Sequence, residues 1–222
     1  MELQKRDLKI RWLKVIDRGR LITVLILLFP LIWLGKKILQ GQTLPIDIAC
    51  LQWINSLHTP VFKYTLPAFY WLGNAGTSAV FVIIGLGVLG WKRYWNEAVI
   101  LAFSTLGILL IIDKGLKPFF ARYRPPNNIP SAIGYSFPSG HASGNTMLYF
   151  YIASILAVRF PKMATYFYGL ATILLILMGF GSVYTRAHWL TDILAGYGVG
   201  YIWFTIVMAL LNLSNFKTRR YY

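Results

Sequence analysis

Acidic residues and cysteines are scarce in this chain. Its 222 residues include 7 Asp and Glu, one cysteine (Cys50), and 13% charged residues of either sign. A single cysteine excludes an intrachain disulfide and a cysteine metal cluster. The charged fraction is about half of the roughly 25% that is usual for soluble domains. An ordinary soluble domain is therefore disfavoured.

Long apolar runs fill most of the sequence. Hydrophobic residues make up 57% of the chain, and the mean hydropathy is +0.56, which is typical of an integral membrane protein. We expect an all-α fold, a bundle of six transmembrane helices. Residues 46–70 alternate apolar and polar positions at helical spacing, which predicts interfacial helices. The six expected spans are 21–39, 77–91, 98–116, 140–158, 163–184 and 189–213.

The 22 Lys and Arg residues give a net charge of +15. Most lie in short segments between the apolar runs, which favours membrane topology over nucleic-acid binding. We expect a basic tail at 1–20, with an amphipathic surface helix, a six-span domain at 21–213 and a second basic tail at 214–222. The positive-inside rule then predicts that both termini are cytoplasmic. We expect the chain to lie in a bacterial inner (plasma) membrane.

Three polar clusters lie on the extracytoplasmic side in this topology. The first contains Lys117, Arg122 and Arg124, and such cations either bind phosphate or extend to the membrane surface. In the second, Ser139 and Gly140 begin a predicted helix, whose N-terminus favours anions, and His141 either acts there or simply packs.

The third cluster places His188 and Asp192 four residues apart on one helix face. The aspartate either fixes the histidine tautomer for nucleophilic attack or forms a simple ion pair. One shared pocket explains all three clusters on one membrane face better than three unrelated roles. Cations, helix N–H groups and two histidines together indicate phosphoryl transfer.

These residues resemble the motifs of the type 2 phosphatidic acid phosphatase superfamily of membrane lipid phosphatases. Lys117 to Arg124-Pro125 matches its Lys–six residues–Arg-Pro motif, and residues 138–141 match Pro-Ser-Gly-His. His188 and Asp192 match the end of its third motif. Together, the three motifs extend from residue 117 to residue 192.

The resemblance implies a role for each matched residue. His188 is expected to be the nucleophile, Asp192 its orienting partner and His141 the acid that protonates the leaving group. No cofactor and no metal are expected. The resemblance also implies phosphate binding by Lys117, Arg124, Ser139 and Gly140. To these we add Arg122, from the first cluster, and Arg186 as further phosphate-binding cations.

One position departs from the third motif. The family arginine six residues before the nucleophile is Ser182 here, preceded by Gly181 in place of serine. Arg186 lies four residues later, so on one helix it would lie on the same face as Ser182. We expect Arg186 to supply the missing guanidinium.

The expected substrate is a lipid phosphate or diphosphate in the bilayer, such as phosphatidate, phosphatidylglycerophosphate or undecaprenyl diphosphate. The vanadium haloperoxidases share such an anion pocket, but six apolar spans argue against them. A second alternative is a catalytically impaired relative that binds anionic lipid or acts as a membrane scaffold, which the substitution at Ser182 would favour.

Overall fold

The structure is a computed structural model that describes residues 18–57 and 59–218, with side chains placed for residues 19–57 and 59–214. This part of the chain is all-helical, as the sequence predicts. The surface helix predicted within residues 1–20 and the end of the second basic tail lie outside the described residues. The helices are α1 (Arg18–Leu39), α2 (Pro45–Asn55), α3 (Pro60–Leu72), α4 (Ala75–Trp91), α5 (Trp95–Leu109), α6 (Lys117–Phe120), α7 (Gly140–Arg159), α8 (Ala164–Tyr184) and α9 (Leu190–Thr218).

Two short segments interrupt or extend these helices. A π-helical segment, Leu110–Leu116, joins α5 to α6, and a 3-10 turn, Pro161–Met163, leads into α8. Wider π turns inside α-helices occur often at functional sites. Here the π segment ends where the first polar cluster begins.

Four helical stretches of the described chain are long and apolar enough to cross a membrane: Gly19–Leu39, Trp95–Phe120, Pro161–Tyr184 and Leu190–Ser214. A fifth exists if α3 and α4, which are bent by 49° at their break, count as one span. The six predicted spans are therefore not confirmed. The remaining predicted span corresponds to α7, whose first turns carry too many small and polar residues to qualify.

Asn145 on α7 holds the bend between α3 and α4. Its side-chain nitrogen donates to the carbonyl of Gly73, at 2.7 Å, and to that of His141, at 2.8 Å. Its side-chain oxygen accepts from the hydroxyl of Ser78, at 2.9 Å. The carbonyl released at the break thus finds a donor inside the protein, which a broken helix in a membrane requires.

α7 lies at the centre of the bundle and packs against α5, α8 and α9. Two glycines four residues apart on α9 allow the closest of these contacts. A Cβ on Gly196 would lie 2.7 Å from the Cβ of Ala142, and one on Gly200 would lie 2.5 Å from the carbonyl oxygen of Ser143. Small residues at this spacing let membrane helices approach closely. The second and third polar clusters are brought together as a result.

Candidate active site

The structure brings residues of all three polar clusters to one end of the bundle. His141 lies on the first turn of α7, and His188 lies in the turn before α9. The centroids of their rings are 6.0 Å apart. A terminal nitrogen of Arg124, from the loop after α6, lies 3.4 Å from Nε2 of His188. The two histidines and this guanidinium therefore border one space.

His188 is almost completely buried, with 2% of its surface exposed. Its Nδ1 lies 3.0 Å from the carbonyl oxygen of Ser136 and 3.6 Å from Oδ2 of Asp192. Arg124 can only donate, so the Nε2 that faces it accepts. Both sides of the ring thus favour a proton on Nδ1 and a free lone pair on Nε2. That lone pair is what a nucleophilic histidine needs.

Burial lowers the pKa of His188 below its usual value of 6.5. The hydrogen bond and the charge of Asp192 oppose this shift, and the cations Arg124 and Lys117 add to it. The imidazole is consequently neutral at neutral pH. His188 is therefore unprotonated at Nε2, and this nitrogen faces Arg124.

Asp192 is fully buried and divides its two oxygens between two tasks. Oδ2 accepts the backbone N–H of Trp189, at 2.9 Å, and faces Nδ1 of His188. Oδ1 accepts from a terminal nitrogen of Arg122, at 2.5 Å. The carboxylate is thereby held in one orientation with respect to the histidine ring.

Four backbone carbonyls hold the guanidinium of Arg124. They belong to Ile133, Gly134 and Tyr135, at 3.0 to 3.2 Å, and to Ala187. A guanidinium has five N–H donors. The fifth faces Nε2 of His188, and it would also be within reach of a phosphoryl group that transfers to this nitrogen.

Lys117 and the N-terminus of α7 form the opposite side of this space. The Lys117 ammonium donates to Asp113, at 2.6 Å, and lies 3.6 Å from where a Cβ on Gly140 would be. Ser139 is fully buried and caps the helix, since its hydroxyl accepts from the N–H of Ala142 at 3.2 Å. The first backbone N–H groups of α7 and the Lys117 charge thus favour an anion at the same place.

His141 has an unsatisfied polar atom. Its Nε2 is buried and has no hydrogen-bond partner among the described residues. Its ring stacks on Tyr70 of α3, with centroids 4.9 Å apart. Buried polar atoms without a partner are rare and often mark a functional position. The stacking holds the ring in place while leaving Nε2 available to a ligand.

The structure gives two of the expected phosphate ligands other partners. Both terminal nitrogens of Arg122 bond carboxylates, those of Asp47 and Asp192. Those of Arg186 bond the side chain of Asn55, at 2.8 Å, and the carbonyl of Pro126, at 3.3 Å.

The expected stacking of Arg186 on Ser182 is wrong, because α8 ends at Tyr184 and Arg186 lies beyond it with φ of +56°. Ser182 is itself buried, and its hydroxyl donates to the carbonyl of Met178 at 2.9 Å.

Gly181 allows α3 to approach α8 at this level. A Cβ on Gly181 would lie 2.6 Å from the backbone nitrogen of Tyr70, which is far closer than atoms of this kind approach. The absence of a side chain at Gly181 therefore lets Tyr70 reach His141.

Sequence reasoning missed several residues that line or support the site. Asp47 had a usable signal, because a buried acid is costly in a chain this apolar. The Ser136 carbonyl and the ring of Tyr70 had none, since neither depends on a motif. Both are brought to the histidines only by the fold.

The three polar clusters lie within the part of the chain that matches a known protein family. A family model described as the PAP2 superfamily matches residues 97–216. The chain belongs to the PAP2 superfamily. This is a family of membrane phosphatases that act on lipid phosphates.

Several characterised proteins are similar over most of the chain. Phosphatidylglycerophosphatase B of Bacillus subtilis is 27% identical over 159 residues, which is 70% of this chain and 74% of that protein. An undecaprenyl-diphosphatase of Sulfolobus acidocaldarius is 25% identical over 185 residues, 80% and 84% of the two chains. A lipid A 4'-phosphatase of Porphyromonas gingivalis is 27% identical over 149 residues, 60% and 61% of the two chains.

The fold also matches a solved structure. The crystal structure of a transmembrane PAP2-type phosphatidylglycerolphosphate phosphatase from Bacillus subtilis superposes with a TM-score of 0.69. The match covers 86% of this chain and 96% of that one at 22% identity. The helical arrangement is therefore that of a PAP2 membrane protein.

The contacts of the two arginines predict unequal effects on activity. Arg124→Ala should lower turnover about 10²–10³-fold, because it removes a preorganised donor next to Nε2 of His188. Arg186→Ala should change turnover less than about tenfold, since Arg186 bonds Asn55 and Pro126 rather than the histidines. The hydrogen bonds it loses, worth roughly 1 kcal/mol each, should lower the stability of the fold instead. Phosphate release from a lipid phosphate, with melting temperature as the control, measures both. A larger loss for Arg186→Ala would contradict this assignment.

Proposed function

We propose that this chain hydrolyses a lipid phosphate or diphosphate through a phosphohistidine intermediate on His188. The observation that carries the proposal is the state of His188: its Nδ1 faces two acceptors and its Nε2 faces only a guanidinium donor. A buried, neutral imidazole with this tautomer is a ready nucleophile. The matching motifs and family support the same reaction.

The reaction proceeds in two balanced steps. The Nε2 lone pair of His188 attacks phosphorus, and the bond from phosphorus to the leaving oxygen breaks. His141 gives its proton to that oxygen, so the lipid leaves as an alcohol or as a monophosphate. Water then attacks the phosphohistidine, His141 takes a proton from it, and inorganic phosphate departs. The negative charge of the bound phosphate favours protonated His141 at the start.

Three groups hold the phosphoryl oxygens in this proposal. Arg124 contributes its remaining N–H, Lys117 contributes its ammonium, and Ser139-Gly140 contribute the N-terminus of α7. Charge stabilisation of this kind supplies most of the catalysis in phosphoryl transfer. Arg122 is assigned to holding Asp192, and Arg186 to the outer wall of the site. No metal takes part in these steps.

An apolar groove of about 510 Å³ next to this site supports a lipid substrate. Its walls come from α1, α6, α9 and the loop before α7, and they include residues next to each polar cluster. Leu116 precedes Lys117, Phe137 and Pro138 precede Ser139, and Ala195 follows Asp192 by one turn. A chain attached to a phosphate between the histidines could therefore continue into the groove.

The candidate substrates are phosphatidate, phosphatidylglycerophosphate and undecaprenyl diphosphate. The names of two similar proteins, a phosphatidylglycerophosphatase and an undecaprenyl-diphosphatase, support the last two. Phosphate release from each lipid in detergent micelles tests the proposal. Release from at least one of them is expected, and release from none would contradict it.

A catalytically impaired relative that binds anionic lipid is the second candidate function. The observation that favours it is Ser182, which is buried where the family motif has arginine. This alternative requires lipid-phosphate binding without phosphate release. The same substrate panel, combined with a binding measurement on vesicles containing phosphatidate, separates the two functions.

We further propose six membrane crossings, with both termini cytoplasmic and the active site extracytoplasmic. The crossings are α1, the bent pair α3–α4, the stretch from α5 to α6, α7, α8 and α9. α7 has 20 residues, which span about 30 Å at 1.5 Å per residue. Its polar face is covered by α5, α8 and α9 rather than by lipid, which is why its composition does not resemble that of the others.

The two histidines should fail in different ways. His188→Ala should abolish turnover on every substrate, because no other group can accept the phosphoryl. His141→Ala should lower turnover about 10²–10⁴-fold for a lipid alkyl phosphate, the usual range for general acid catalysis. The loss should be smaller for an aryl phosphate, whose leaving group needs little protonation. Equal losses on both substrates would contradict the acid role.

Filling the groove should affect only substrates with long chains. Val199→Trp places an indole in the groove and should displace about two methylenes of a lipid chain, at about 0.8 kcal/mol each. The kcat/KM for a long-chain phosphate should fall about tenfold, while that for a short, soluble phosphate stays unchanged. Ile206→Trp, at an exposed position two turns further along α9 that does not line the groove, is the matched control. Equal effects of the two variants would contradict a chain-binding groove.

The topology predicts which surface positions a membrane-impermeant thiol reagent can reach. In a Cys50→Ala background, Ser131→Cys in the loop before α7 should react in intact cells. Lys162→Cys in the connection between α7 and α8 should react only after permeabilisation. Both positions are exposed, so access to the membrane side is the variable that is measured. The reverse pattern would overturn the orientation.

A further inference from the structure

A buried carboxylate on α2 takes part in none of the steps above. Asp47 is 1% exposed. Its Oδ2 accepts from a terminal nitrogen of Arg122, at 2.6 Å, and from the hydroxyl of Thr191, at 2.8 Å. Its Oδ1 accepts the backbone N–H of Thr191, at 2.9 Å. Both oxygens therefore bond Thr191, which lies at the N-terminus of α9, one residue before Asp192.

Arg122 lies between two buried carboxylates. One terminal nitrogen donates to Asp47, and the other donates to Oδ1 of Asp192 and to the hydroxyl of Thr191. Its guanidinium carbon also lies 5.3 Å from the centroid of the Trp189 ring. The side chains of Asp47 and Asp192 are both fully buried, and that of Arg122 is 8% exposed. The single buried charge of Arg122 thus pairs with two buried carboxylates.

We propose that Asp47 is a positioning residue for the nucleophile His188, acting through Arg122 and Asp192; the proposal rests on the proposed phosphohistidine function. It does not touch substrate. It determines how Arg122 binds Asp192, and through this the position and the charge that Asp192 presents to the histidine ring.

The first part of this role is orientation. A free guanidinium beside a carboxylate tends to form a two-pronged pair with both oxygens. Asp47 accepts from one terminal nitrogen of Arg122, so Asp192 accepts only from the other, through Oδ1. Oδ2 of Asp192 then remains with the N–H of Trp189 and Nδ1 of His188. Without the Asp47 charge, the second terminal nitrogen of Arg122 would be able to bond Oδ2 of Asp192 and move this oxygen away from the His188 ring.

The second part is charge. Two carboxylates and one guanidinium leave one net negative charge next to His188. The imidazole becomes positively charged when Nε2 bonds to phosphorus, and this surplus stabilises that state. If Asp47 is neutral, Arg122 fully offsets Asp192 and the surplus disappears. The chemical step should be slowed more than substrate binding.

The other charged and titratable groups that face His188 are Arg124, Lys117 and His141. Asp47 contacts none of these three. Its substitution should therefore reach His188 through Arg122 and Asp192 alone. The phosphate-holding groups stay in place, so KM should change little.

A purely structural role for Asp47 would be to anchor α2 to α9. Two variants separate the roles. Asp47→Asn keeps the shape and an acceptor for Thr191 but removes the charge. Thr191→Val removes the hydroxyl bonds to Asp47 and Arg122 but keeps every charge. Gln52→Ala, at an exposed position on α2, is the matched control.

Steady-state kinetics of the full chain in detergent, across pH, test the proposal with a hydrolysed lipid phosphate. Asp47→Asn should lower kcat about 10–100-fold, the range for residues that orient a histidine from behind, with KM within about threefold. Its acid limb should move to lower pH, because loss of a negative charge disfavours imidazolium. Thr191→Val should lower the melting temperature with a smaller loss of kcat, and Gln52→Ala should match wild type.

Titration of His188 by NMR with nitrogen-labelled histidine gives a readout that does not need activity. The His188 signal is identified by its loss in His188→Ala. Its midpoint should be lower in Asp47→Asn than in wild type. If Asp47→Asn lowers only the melting temperature and leaves kcat and the titration unchanged, the positioning role is overturned. If wild type hydrolyses no lipid phosphate, the proposed function fails, and the titration still decides whether Asp47 acts on His188.

Discussion

The buried guanidinium of Arg122 joins parts of the chain that are far apart in sequence. It links α2, through Asp47, to the start of α9, through Asp192. Removing a partner from a buried ion pair costs about 3–5 kcal/mol, because it leaves an uncompensated charge. Replacement of Arg122 would leave two such carboxylates. The geometry around His188 thus depends on a cation that lies outside the phosphate space.

Close helix packing brings the polar groups to this network. The approach of α9 to α7 at Gly196 and Gly200 puts the second cluster beside the third, and the N–H of Ser139 donates to the carbonyl of Asp192 at 3.0 Å. The site is therefore built on helix ends whose backbones are nearly in contact. Such rigidity suits phosphoryl transfer, in which positioning and fixed charges carry most of the catalysis.

The sequence predicted those features of the site that depend on local motifs. It did not predict the features that depend on where helices end and on contacts between distant parts of the chain. The all-helical fold and the family are confirmed, since apolar runs and Pro-Ser-Gly-His leave clear signals. The stacking of Arg186 on Ser182 failed because no motif marks the end of α8 at Tyr184. The length of its apolar run predicts α7 as an ordinary span. The sequence does not show that other helices of the bundle, rather than lipid, cover its polar face.

Ser182 and Gly181 lie at the level of α8 where Tyr70 of α3 forms a wall beside His141. Arginine at 182 would need room for a guanidinium where Ser182 is buried and bonded to Met178. The approach of α3 at Gly181 instead puts Tyr70 against His141. An aromatic ring excludes water and strengthens the remaining charges, since electrostatic interactions grow as the local dielectric falls. In the proposed reaction, Arg124 and Lys117 would therefore hold the phosphate more strongly beside this ring, while Asp47 would position the nucleophile from behind.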